Sequence, residues 1–544
     1  MSTNSGIVSG DVSNNHSLSW MRVVRIAFNT HVLSCLAWLL VFCAVAVVYG
    51  PDASWDFRNY HFYGPFALFH GRLDFDLAPA QPQTFFPPTL DIPSYWLRSW
   101  LNNYPDLLDA LLSLPNGIGA YLATLIALRF VPSSLPWRWP VAMLLAAVGV
   151  TGTAGLPTVA TTQSEMLPGC LALGGFLLLL RQLEAEISQR ALVAAGLMFG
   201  AAVGLKLTSV PYSLGAIAAL LLSCSGSARV KLMAALVFSL GVFAGMTLLA
   251  GWWWLHLWAA YGSPLFPLYN GVFRSPYIPP ITTFDNRFKP TGVLQALFYP
   301  FYWGFSWRHP VAEVVMRDPR FMLAYLAFWI TVVRHVFRFA DAASRQIGFL
   351  LVFFGVSYIA WEAEFSVLRY LAPLEVLCGV VIFLPFRALI SRRHGMAVAG
   401  FATTMIVAML LVLTVYPKWG RAQPRTSAIS VHMPPLKLNS LVLLLDGSAM
   451  SYFAAFVPPS ARIVGANNAT IHPGQKGLLE ERAEQLIRTY PGPIYGMENP
   501  REAPGVADRT LTYYRLHRGT GCARVPSNLD FDGAVVCPLV RDRP

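Results

Sequence analysis

The run His31-Val32-Leu33-Ser34-Cys35-Leu36-Ala37-Trp38-Leu39-Leu40-Val41-Phe42-Cys43-Ala44-Val45-Ala46-Val47-Val48-Tyr49 decides what kind of protein this is. It holds no Asp, Glu, Lys or Arg over a length that, as a helix, covers the ~30 Å hydrocarbon core of a bilayer. It also exceeds the ~7 to 15 residues of a signal-peptide core. Although Ala44-Val45-Ala46 resembles a cleavage site, we read the run as an uncleaved first helix. It follows a polar tail, residues 1–30, that carries Arg22 and Arg25.

Similar runs recur along the chain, near residues 107–129, 139–155, 166–182, 190–206, 210–224, 232–254, 321–338, 345–361, 367–387 and 396–416. Composition agrees: 55% of the 544 residues are hydrophobic and 12% are charged, against about a quarter charged in soluble domains. The net charge of +12 does not point to nucleic acid, because Lys and Arg are not gathered into a basic domain with interleaved aromatics. They sit in short loops instead. With the N-terminus inside, Arg129 and Arg138, Arg181 and Arg190, Arg229 and Lys231, the cluster Arg334, Arg338 and Arg345, and Arg392 with Arg393 all fall on the side where cytoplasmic loops retain cations. Counting Val293 to Phe305 as a span would move the Arg334 to Arg345 cluster outside, so that run is read as re-entrant or interfacial.

The fold class expected is therefore a polytopic α-helical membrane protein of about eleven transmembrane helices with a small C-terminal α/β extracytoplasmic domain. Residues 1–30 form a cytoplasmic tail, 31–416 the membrane domain with external loops 50–106 and 256–320, and 417–544 the external domain. In that domain, Leu441 to Leu445, Ala461 to Val464 and Pro493 to Met497 read as strands, and Ala449 to Val457 and Gly477 to Thr489 as helices. No GxGxxG or P-loop fingerprint assigns it a nucleotide. Five of the seven cysteines lie in apolar runs. The other two, Cys522 and Cys537, share the external domain, where an oxidising compartment lets them form a disulfide.

The chemistry is expected in the first external loop, Trp55-Asp56-Phe57-Arg58-Asn59-Tyr60-His61-Phe62-Tyr63. An interfacial aromatic belt accounts for the rings but does not call for Asp, Arg, Asn and His among them. Read as a helix, the stretch puts Asp56, Tyr60 and Tyr63 on one face and Arg58 and His61 on flanking ones. Further along, Asp74 and Asp76 read as solvated. Glu165, Lys206, Glu362, Glu364 and Arg369 stand at outer ends of other spans, where ionisable groups usually face a cavity or a partner. Arg274 belongs to the second loop, whose aromatics suit an acyl or prenyl chain.

With an acidic external loop following the first span at once, many further spans, and a Gly-rich helix ending at Lys206, the chain resembles the type C glycosyltransferases, membrane enzymes that use polyprenyl-phosphate sugars. Within them it is most similar to the proteins near glycosyltransferase family 87 and the protein mannosyltransferases. The resemblance implies transfer of sugar from a polyprenyl-phosphate donor to a lipid, glycan or protein acceptor, with inversion. It implies a bacterial inner membrane with the C-terminal domain in the periplasm, and a first-loop carboxylate as general base. Where the family often has an acidic doublet, this chain has Asp52 and Asp56 four residues apart, so either or both are candidates. Arg58, Lys206, Arg274 and Arg369 are candidates to offset charge on the departing phosphate, with Tyr60, His61, Glu165 and Glu362 lining the substrate site. No ligand spacing argues for zinc; a divalent cation is the one cofactor left open. The rival readings are a transporter or flippase for a lipid-linked or amphipathic substrate, a ligase moving a whole glycan, and a non-catalytic scaffold. Paired broken helices would favour the first of these.

Overall fold

A computed structural model describes residues 12–183, 188–282, 285–305, 311–335, 342–387, 390, 395–503, 505–530 and 532–542. Within the described residues each of the eleven apolar runs is mainly helix, residues 151–155 forming turns instead, which is what hydrocarbon demands: with no water to satisfy backbone N–H and C=O groups, each segment must pair its own. Among the described residues, four helices are long and apolar enough to cross a membrane unaided: Asn29–Tyr49, Pro105–Phe130, Ala228–Tyr261 and Ser344–Glu364. Leu368–Glu375 and Cys378–Arg387 form a pair bent by 44°. Arg138–Val150, Met166–Gln182, Gln189–Leu205, Leu207–Ser223 and Ala399–Leu413 are shorter apolar helices. The chain is thus a helical integral membrane protein.

The structure differs from the sequence expectation at several places. The first helix begins at Val12, inside what reads as a polar tail. Val293 to Phe305 is two short helices, Val293–Leu297 and Tyr299–Phe305, neither long enough to cross; Val293, Leu294 and Phe298 are exposed while Tyr299 and Trp303 are buried. Arg338, Arg392 and Arg393 lie outside the described residues.

Helix packing relies on glycine. Gly196, Gly200 and Gly204 repeat every four residues on Gln189–Leu205 and meet Gly241, Val242 and Met246 on Ala228–Tyr261, while Gly245 meets Leu197 and Ala201 in return. A Cβ on Gly200 would lie 2.0 Å from the carbonyl oxygen of Val242, so only small residues let the backbones touch.

The C-terminal domain holds a six-stranded mixed sheet of β1 (Leu441–Leu444), β2 (Arg462–Gly465), β3 (Ile494–Glu498), β4 (Leu516–Arg518), β5 (Ala523–Val525) and β6 (Ala534–Arg541), in the order β2-β1-β3-β6-β4 with β5 on β6. The first three are parallel; β6 runs antiparallel to its neighbours. All four residues of β1 are buried because both faces are covered. Leu441 and Leu443 share a core with Ile487 of helix Leu478–Thr489, Trp253 of helix Ala228–Tyr261 and Phe266 of the second loop. Val442 and Leu444 pack with Phe57 and Tyr63 of the first loop. The expected helix over Ala449 to Val457 is only a 3-10 turn, Ser451–Ala455, bounded by Gly447 and by Pro458-Pro459, which cannot continue a helix. Helix Val506–Tyr513 and the strands after it were not expected. Cys522 and Cys537 are joined in a disulfide.

The first loop and this domain are one structure. Leu77 adds a parallel bridge at the edge of β2, accepting from Gly465 N at 2.9 Å and donating to Ile463 O at 2.9 Å. Asp76 is not solvated, as the sequence suggests, but buried. It takes both arms of Arg72 at 2.8 Å, the Tyr63 hydroxyl at 3.0 Å and the Ile463 amide at 2.8 Å.

Candidate active site at the helix ends

The first span ends under two arginines from the linker after residue 416. Arg425 donates to the carbonyls of Val47, Val48 and Tyr49 at 3.2, 3.0 and 3.1 Å, groups that a helix end leaves unpaired. Arg421 ties Gly50 O at 2.8 Å to Pro157 O at 2.8 Å and Val159 O at 3.0 Å. The chain then turns through Asp52 into a short π-helical turn, Phe57–His61.

The two candidate carboxylates sit in different surroundings. Asp52 is 1% exposed; it accepts from the Ser54 amide at 2.9 Å, the Thr162 amide at 2.8 Å and the Thr162 hydroxyl at 2.8 Å, with Arg98 4.0 Å away. Burial alone pushes its carboxyl up, but Arg98 and these donors outweigh it and hold the group below the usual range. Asp52 is committed to joining the first loop to the segment carrying Thr162. Asp56 takes Arg369 Nη2 at 3.1 Å and Gln163 Nε2 at 3.3 Å, both on Oδ2, and among the described residues no hydrogen bond reaches Oδ1. Burial pushes the Tyr60 phenol well above its ordinary value and the charge of Asp56 adds to this, with Arg369 opposing. Tyr60 is therefore a neutral donor beside a carboxylate.

Around this pair the fold gathers residues far apart in sequence. Lys206, where helix Gln189–Leu205 gives way to extended backbone, lies 2.7 Å from Glu165, whose other oxygen takes the Thr208 hydroxyl at 3.0 Å. Tyr370 lies within electrostatic range of Arg369, Lys206, Glu165 and Asp56. The Thr151 to Glu165 segment is fixed from beneath. Glu375, 1% exposed, accepts from Ala154 N at 3.0 Å and Gly155 N at 2.9 Å. Asp318 accepts from Thr153 N at 2.9 Å and from Arg320 at 2.7 Å. Glu375 follows Arg369 by six residues, so one short stretch both carries the cation and anchors the segment presenting Gln163 and Glu165.

Other candidates lie elsewhere. Arg58 pairs with Asp530 of the C-terminal domain. His61 is buried with Nδ1 2.8 Å from both oxygens of Asp91. Arg274 is exposed at the end of the short helix Asn270–Phe273. Glu362 and Glu364 both stand in the last turn of helix Ala342–Glu364, and Glu364 accepts from Tyr269 at 2.9 Å. Gln163, Tyr370 and Glu313, the last 4.0 Å from Arg369, join the site without having been singled out; uncharged Gln and Tyr carry no signal until the fold shows what they touch. Among the described residues no three of His, Cys, Asp and Glu group as a metal site. A cleft of about 170 Å³, lined by Tyr269, Thr282, Asp285, Glu364, Val367 and Tyr370 among others, adjoins the site. A second of about 320 Å³ runs between Leu90, Leu97, Leu112 and Leu167, with Asp91, Arg98 and Ser164 on its wall.

Fold and site together define a polytopic helical membrane protein with a polar cluster at one end of its helices, roofed by an α/β domain. No family model matches the sequence, and no curated protein is similar to it by sequence. By fold it is similar to the crystal structure of ArnT from Cupriavidus metallidurans in the apo state, at TM-score 0.50 and 13% identity, covering 94% of this chain and 98% of that one. The structure of the same ArnT bound to undecaprenyl phosphate is matched at TM-score 0.47 and 12% identity over 93% and 97%. At 13% identity the likeness to the apo structure is one of fold alone.

Proposed function

We propose that this chain transfers a sugar from a polyprenyl-phosphate donor to a lipid, glycan or protein acceptor at the non-cytoplasmic face, with Asp56 as general base. The observation that carries this reading is the contrast between Asp52, saturated by donors, and Asp56, held by one cation and one amide with an oxygen to spare. The fold shared with ArnT supports it at the level of class.

In the step proposed, the acceptor hydroxyl attacks the anomeric carbon, its proton passes to Asp56, and the bond from that carbon to the phosphate oxygen breaks with the electron pair leaving on phosphate. A single displacement inverts the centre. The transition state has oxocarbenium character, which a carboxylate stabilises, and Arg369 and Lys206 offset charge gathering on the phosphate. Glu165 orients Lys206. The reading includes eleven spans, the domain boundaries given above, a bacterial inner membrane and a periplasmic C-terminal domain, and a place near glycosyltransferase family 87 or the protein mannosyltransferases. Arg274, His61, Arg58 and Glu362 act in it as outlying substrate contacts or supports.

The test is mass spectrometry of glycans and glycolipids from cells lacking the protein, complemented with wild type or with Asp56→Asn expressed equally. Restoration of a sugar-bearing species by wild type alone supports the reading. Full restoration by Asp56→Asn removes Asp56 as base, and an unchanged glycan profile on deletion removes the transferase.

A further inference from the structure

Arg369 has more hydrogen-bonding capacity than the structure uses. A guanidinium offers five N–H donors in a planar fork. Here Nη2 contacts Asp56 at 3.1 Å, Nη1 stands 4.0 Å from Glu313, and Nε is buried with no acceptor. The group lies over the rings of Tyr370 and Trp419, at 5.4 and 5.8 Å from their centroids, contacts that hold a cation without fixing its in-plane direction. Tyr370 also lines the 170 Å³ cleft. Lys206 is engaged likewise, with Glu165.

A carboxylate held against a guanidinium is a weakened base, because the cation favours its charged form. A phosphate offers two oxygens to the fork and makes stronger, bidentate contacts than a single N–H at 3.1 Å. When Arg369 turns to such a group, Asp56 keeps only the neutral amide of Gln163 at 3.3 Å and its carboxylate is free to face the acceptor.

Resting on the reading of this site as one for a polyprenyl phosphate, we propose that Asp56 and the donor's phosphate compete for Arg369, so that donor binding releases the base. The donor then binds before the acceptor can be deprotonated, and Arg369 sets the order of events as well as offsetting charge.

The experiment is a double-mutant cycle on the full chain in detergent, measuring the affinity of farnesyl phosphate by calorimetry for wild type, Asp56→Asn, Arg369→Gln and the double variant. Expected is about tenfold tighter binding by Asp56→Asn than by wild type, and less than about twofold difference when the same change is made on Arg369→Gln. An equal gain in both backgrounds overturns the proposal, because it means that Asp56 merely repels phosphate. So does no gain in the wild-type background. If Arg369→Gln does not fold, Arg369→Lys replaces it: lysine keeps the charge without the fork, and an undiminished tenfold gain there refutes competition for the guanidinium. Failure of wild type itself to bind farnesyl phosphate removes the lipid-phosphate reading, a result distinct from failure of the competition.

Discussion

Replacing Asp52 by Asn tests whether the two first-loop carboxylates do different work. The substitution keeps the shape but swaps one acceptor oxygen for an NH₂. The side chain now receives the Ser54 amide on one oxygen and the Thr162 amide and hydroxyl on the other, so in either orientation at least one backbone N–H faces a donor. A hydrogen bond to a charged acceptor contributes about 1.5 to 3 kcal/mol, and an orphaned buried donor costs about 1 to 3. Arg98, 4% exposed, also loses its counter-charge. The sum is about 3 to 6 kcal/mol, a large share of the roughly 5 to 15 kcal/mol that holds a typical domain together. Asp56→Asn turns one charged contact with Arg369 into a neutral one, the Asn oxygen still accepting and Glu313 remaining 4.0 Å from the cation, which costs less, about 1 to 2 kcal/mol. Thermal unfolding of the full chain in detergent, followed by fluorescence of its 16 tryptophans, then shows Asp52→Asn melting well below wild type and Asp56→Asn close to it. The pH dependence has a fixed sign. A carboxyl held below its unfolded value stabilises the fold above that value and loses its contribution as pH falls through the folded one. The gap between wild type and Asp52→Asn therefore persists from pH 7 to pH 5 and closes only below about pH 4. Equal melting of the two Asn variants, or a gap that closes near neutrality, refutes the reasoning.

Gly200→Ala places a Cβ 2.0 Å from Val242 O and forces two helices apart, so yield and melting temperature fall; Gly400→Ala, with nothing within 4 Å, leaves both unchanged in the same expression trial. Burial pushes Glu480 up to about 7, with the Tyr514 hydrogen bond opposing and Glu484 adding to the rise. Folding thus loses stability as pH climbs from the unfolded carboxyl value toward 7, and Glu480→Gln should melt like wild type near pH 4 but higher at pH 8, by about 1 kcal/mol after solvent screening. A gap that does not change with pH contradicts this. Cys522→Ser opens a crosslink spanning 15 residues, worth about 3 kcal/mol of loop entropy. Its melt in oxidising buffer should match that of reduced wild type, and no shift from oxidised wild type counts against it.

The helices were legible because their signal is length and lack of charge, and the packing of Gly200 against Val242 changes neither. The bend between Leu368–Glu375 and Cys378–Arg387 was not: both halves are apolar, and only Pro373 and Pro385 mark the stretch. In the C-terminal domain β1 stood out as four apolar residues, whereas β4 and β5, three residues each, are too short for alternation to register. At the site, Asp56 and Arg369 announced themselves as charges beside apolar runs, but their partnership spans more than 300 residues and belongs to the fold. Asp76 was misjudged because an acid in a Pro-rich loop reads as wet; Arg72, one helical turn earlier, was the available sign of a pair.

The pairing of Arg58 with Asp530, 472 residues later, bears on how the protein is made. At about 5 to 20 residues per second, roughly half a minute to a minute and a half separates the two residues as they leave the ribosome. The bridge of Leu77 to β2 and the burial of Phe57 against β1 wait for the end of the chain in the same way. A prematurely terminated product inserts its helices yet lacks the roof over the Asp56 turn. Incomplete copies in the membrane therefore leave exposed the apolar side of the first loop that the finished chain packs against its C-terminal domain.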